Sequence, residues 1–92
     1  MESTDFSAGI REALDRGDNA QALAGATAAV SGRPDSAQAW RLLAAAQRAT
    51  GDATQALASI DRAIALVPDD AGAHFERAGL LLGTRQPDAA QA

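Results

Sequence analysis

Apolar positions recur along this chain at the spacing of helices. Trp40, Leu43, Ala44 and Gln47 fall on one helical face, and Ala56, Leu57, Ile60, Ala63, Ile64 and Val67 on another. Between such stretches stand residues that stop or start a helix. Gly17 and Gly51 sit where a helix must end in a left-handed turn, and the aspartates that follow, Asp18 and Asp52, suit the cap of the next helix. Pro34 and Pro68 close each pair of helices, because proline lacks the amide needed to continue one. The pattern predicts helices at about residues 4–16, 19–31, 37–50, 53–67 and 71–83, with a further start near Pro87, a residue that suits a first helical turn.

These signals repeat. An offset of 34 residues places Gly17 on Gly51, Asp18 on Asp52, Ala29 on Ala63, and Pro34-Asp35 on Pro68-Asp69. The offset extends to a third copy, in which Phe6, Trp40 and His74 align, as do Ala22, Ala56 and Ala90, and Ala24, Ala58 and Ala92. Alanine coincidences arise easily in an alanine-rich chain, but Gly-Asp and Pro-Asp pairs at one shared offset do not. Each unit is therefore helix, tight turn, helix, short link.

The middle unit reads Trp40-x2-Leu43-Ala44-x2-Gln47, then Gly51, then Ala56-x3-Ile60-x2-Ala63, then Pro68. This resembles the tetratricopeptide pattern W-x2-L-G-x2-Y, A-x3-F, A, P, with Ala44 in place of glycine, Ile60 in place of phenylalanine and Gln47 in place of tyrosine. The first copy has Phe6 where Trp40 stands and Ala26 where a bulky residue is usual, so that its packing is unusually close or its stability low. The third has Arg77 where Leu43 stands. The resemblance implies an all-α, right-handed helical-hairpin solenoid of antiparallel helix pairs. One domain over 1–92 would hold repeats at 3–36 and 37–70 and a partial repeat at 71–92. Such stacks end in a polar capping helix. None follows Ala92, so the expectation is a piece of a longer chain, or an open end that another chain covers by self-association.

Composition narrows the partners. The net charge is −4 and the pI about 4.6, whereas nucleic acids and anionic membranes call for a basic footprint, so neither is expected. All basic residues are arginine, a bias of composition. Without cysteine there is no disulfide framework and no thiolate chemistry. The first residues lack the basic and apolar regions of a signal peptide, and Leu42 to Ala46 is an apolar run of core-helix length, so the cytoplasm is the expected location.

No catalytic constellation stands out. The serines have no base in evident reach, there is no glycine-rich phosphate loop, and one histidine without cysteine builds no zinc site, so neither enzyme activity, cofactor nor metal is expected. In the family that the chain resembles, the first helix of each pair lines a concave groove for peptides or partner helices. By alignment the groove-facing positions are Arg11, Gln38, Arg41, Ala45, Arg48, Phe75, Gly79 and Leu82. Arg11, Arg41 and Arg48 either fork to carboxylates of an acidic segment or stand as solvated arginines in local ion pairs. Trp40, Leu43, Ala44, Gly51, Ala56, Ile60, Ala63 and Pro68 are read as the structural signature, with Trp40 a packing residue. Phe75 is either a groove anchor or a filler at the third-unit junction, and His74 a partly buried packing or hydrogen-bonding residue. The resulting function is a protein–protein interaction module binding a peptide, a partner helix or a second subunit. The alternative is a non-catalytic N-terminal docking or oligomerisation region of an enzyme whose catalytic domain follows residue 92.

Overall fold

The structure, a computed structural model, describes the backbone of residues 6–91 and the side chains of residues 7–83. The expected helix start at residue 4, the packing of Phe6 and the alignments of Ala90 and Ala92 lie outside the residues or side chains described. Five helices follow one another: α1 (Phe6–Asp15), α2 (Asn19–Gly32), α3 (Ala37–Ala49), α4 (Ala53–Leu66) and α5 (Ala71–Gln91). No strand occurs among the described residues, and the molecule is elongated, with extents of 52 × 30 × 18 Å.

The turns repeat atom for atom. After α1, Asp18 N–H donates to Ala13 O at 2.8 Å and Gly17 N–H to Leu14 O at 3.0 Å; after α3, Asp52 N–H donates to Gln47 O at 2.9 Å and Gly51 N–H to Arg48 O at 3.0 Å. This paired closure needs a left-handed residue, which Gly17 (φ 79°) and Gly51 (φ 89°) supply. The following aspartates cap the next helices, accepting from Gln21 N–H at 3.3 Å and Gln55 N–H at 3.1 Å. The links between hairpins are built alike: Ser36 Oγ caps α3 through Ala39 N–H at 3.2 Å, and Asp70 Oδ1 caps α5 through Gly72 N–H at 3.0 Å and Ala73 N–H at 3.3 Å.

The third unit differs from the expected break after residue 83. α5 continues to Gln91 with no second helix starting near Pro87. The reason lies at the turn register: where the first two units have Gly17-Asp18 and Gly51-Asp52, the third has Arg85-Gln86. Neither residue favours a left-handed turn or caps a helix as aspartate does, and both are good helix formers. Pro87 removes one helical donor but supplies no stop signal of the kind that ends α1 and α3.

Two core clusters share Trp40. One holds Ile10, Ala13, Ala22, Ala26, Val30, Leu42 and Leu43; the other holds Ala44, Ala56, Ile60, Ala63, Ala73 and Leu80. Ala22 and Ala26 are fully buried, so the packing at position 26 is close. Ile60, in the place of phenylalanine, is fully buried too. Trp40 is half-buried and packs against both clusters, while its indole Nε1 donates to Pro34 O at 2.8 Å and Arg62 stacks 4.9 Å over its ring. At Gln47 the lost aromatic packing is replaced by a polar contact, Ser59 Oγ donating to Gln47 Oε1 at 2.7 Å, with Ser59 itself buried.

Candidate functional site

The first helices of the units, α1, α3 and α5, line a groove made of two adjoining depressions of about 330 and 250 Å³. Leu14, Ala45 and Glu76 line both. Ala44, Arg48, Ala49 and Leu80 complete the larger, and Arg11, Gln38, Arg41 and Leu42 the smaller. A third depression continues past Arg48 towards Gly79 and Gly83. The structure thus brings Arg11, Gln38, Arg41, Ala45 and Arg48 together in one groove, with Gly79 at its extension. Phe75 and Leu82 line none of the three. They are 80% and 64% exposed on α5.

The arginines of the groove are not equivalent. Arg41 clasps α5 from α3: its Nε donates to Glu76 Oε1 at 3.2 Å, Nη2 to Glu76 Oε2 at 3.0 Å and Nη1 to Asp70 Oδ2 at 3.3 Å. The hydrogen bond to Glu76 raises the Arg41 pKa against the opposing effect of burial. Gly72 leaves the guanidinium its path, since a Cβ there would lie 3.0 Å from Arg41 Nη2. Asp70 therefore does two things at once, capping α5 with one oxygen and binding Arg41 with the other.

Elsewhere, Arg16 meets Glu12, Asp18 and Gln21, Arg33 has a partner, Arg62 covers Trp40, and Arg77 Nε donates to Asp61 Oδ1 at 2.7 Å. Among the described residues Arg11 and Arg48 alone of the arginines make no hydrogen bond, ion pair or ring contact, and both open into the groove.

His74, in the register of Trp40, repeats the tryptophan's bond: its Nε2 lies 2.7 Å from Pro68 O, as the indole lies against Pro34 O. A carbonyl only accepts, so Nε2 carries the proton. The ring is exposed where partial burial was expected. No group of three or more metal-ligating side chains is found among the described residues, and no helix among them is long and apolar enough to cross a membrane.

Sequence reasoning missed Leu14, Leu42, Ala44, Ala49, Glu76 and Leu80 as groove residues. The 34-residue offset held the signal for Leu14, which stands in the register of Arg48, but not for Leu80, which stands in that of Ala46, a fully buried core position. Glu76 was hidden by standing in the register of Leu42, a core position.

Stacked hairpins of one 34-residue length, with a groove along their first helices, define a helical-repeat scaffold of the solenoid class. The family described as Tetratricopeptide repeat matches residues 8–71 and again 46–92, and the chain belongs to that family. Its repeats generally mediate protein–protein interactions. No curated protein matches the chain.

Proposed function

We propose that this chain is a non-catalytic binding module whose groove along α1, α3 and α5 receives a segment of a protein partner. The observation that carries the reading is the groove's make-up: an apolar floor of Leu14, Ala44 and Leu80, with Ala45 open to solvent, bordered by arginines that have no internal partner. An apolar floor offers burial to a partner side chain, and the charged border orients it. Selection of random 12-residue peptides on the immobilised chain tests this. Ala45→Trp fills the groove from an exposed helical position, so it removes binding of the selected peptides while leaving the circular dichroism spectrum unchanged. Peptides that bind the Ala45→Trp chain as well as the original would place the binding face elsewhere.

A second reading rests on α5. Phe75 and Leu82 are exposed, and Ala78 is exposed where its counterpart Ala44 is buried against the following helices. This face offers apolar surface to a second subunit. Sedimentation over a range of concentrations should then show self-association that Phe75→Gln weakens; a monomer at every concentration would remove this reading and leave the groove untouched.

A further inference from the structure

We propose that the segment received by the groove is acidic, carrying carboxylates on both sides of an aliphatic residue. This rests on the groove reading above and names the partner's chemistry.

The argument starts from which cations are available. The chain is acidic, with 12 aspartates and glutamates against 8 arginines, so carboxylates are plentiful enough to partner every guanidinium. Four of the arginines with described side chains are taken up in that way or by Trp40, and Arg33 has a partner too. Arg41, which the repeat alignment also places in the groove, is occupied by Glu76 and Asp70 and has little charge left to offer. Arg11 and Arg48 are left, and both line the same groove.

Their placement gives the pattern. Arg11 stands one turn before Leu14 on α1, and Arg48 one turn after Ala45 on α3. The 34-residue offset puts Arg11 level with Ala45 and Leu14 level with Arg48. The four residues form a patch with arginines on one diagonal and apolar side chains on the other. An extended segment crossing it sets an aliphatic side chain against Leu14 and Ala45 and brings a carboxylate to each guanidinium. Glu76 also borders both depressions and shares Arg41 with Asp70, so that trio keeps one net negative charge against the two positive charges of Arg11 and Arg48. Arginine suits the task because its planar fork meets a carboxylate with two parallel hydrogen bonds.

Three labelled 12-residue peptides test this: a leucine with glutamates on both sides, the same peptide with glutamines, and the same with lysines. Each is titrated by fluorescence anisotropy against the original chain, Arg11→Gln, Arg48→Gln, the double variant, Ala45→Trp and the control Arg16→Gln. The expected result is binding of the glutamate peptide about tenfold or more tighter than the glutamine peptide at low salt, with the advantage shrinking as salt is added. Each single variant removes part of the advantage, the double variant all of it, and Arg16→Gln none. Both substituted side chains are exposed, so the folded chain is retained, and circular dichroism checks that. Equal binding of the glutamate and glutamine peptides, an advantage that survives in the double variant, or no binding of the glutamate peptide at millimolar concentration would each overturn the acidic assignment. The groove reading fails separately: there, binding persists in Ala45→Trp.

Discussion

The two junctions between units share one backbone arrangement and an apolar core, and differ in chemistry at two matched registers. At the first, Leu42 and Leu43 of α3 are buried against Ile10, Ala13, Ala26 and Val30. At the second, the same registers on α5 hold Glu76 and Arg77, which reach back to Arg41 and Asp61. Apolar burial is non-directional and is not screened by salt, whereas a partly exposed ion pair contributes little and is screened. At these two registers the first junction therefore gains more, while the apolar packing of the second is carried by Ala73 and Leu80 against Ala44, Ile60 and Ala63. The second fixes the position of α5 and, in doing so, takes Arg41 out of the set of cations that a partner can use.

Trp40 is the residue at which the two junctions can be broken together, since it packs against both clusters and bonds Pro34 O. Trp40→Ala should cost about 3 to 5 kcal/mol in denaturant unfolding; an unchanged midpoint would remove it from the core. Leu43→Ala breaks only the first junction and should cost about 2 to 4 kcal/mol. Ser59→Ala lies inside the middle hairpin and strands Gln47 Oε1, at a cost of about 1 to 2 kcal/mol. A loss as small as that of an exposed serine would show that the Gln47 contact contributes nothing. The smallest effect belongs to the second junction: a double-mutant cycle of Arg41→Ala and Glu76→Ala should give a coupling of about 0.5 to 1 kcal/mol that falls with salt. A salt-independent coupling larger than the loss in Leu43→Ala would show that the ion pair outweighs the buried leucine at these registers.

What could be read from the sequence follows how local each feature is. The Gly-Asp turns are made by neighbouring residues whose roles depend on a few backbone bonds, so Gly17, Asp18, Gly51 and Asp52 announced the ends of α1 and α3 and the caps that follow. The continuation of α5 was visible in the same terms, in Arg85-Gln86 at the turn register, but Pro87 suggested a new helix start. Groove positions such as Arg11 and Arg48 followed from the repeat alignment. Pairing did not, because Arg41 finds Glu76 and Asp70 across 35 and 29 residues, and only the packing of α5 onto the α3–α4 hairpin determines that they meet. The exchange of aromatic packing for the Gln47–Ser59 bond was hidden in the same way, each residue looking unremarkable alone.

Amide chemical-shift mapping of the labelled chain against a peptide recovered by selection tests the central claim, a groove that receives a protein segment, most directly. The account predicts shifts at Arg11, Leu14, Ala45, Arg48 and Leu80, with little change at Ala24, Ala28, Ala58 and Ala65, exposed positions of α2 and α4. Shifts concentrated on those alanines, with the groove residues unmoved, would contradict it.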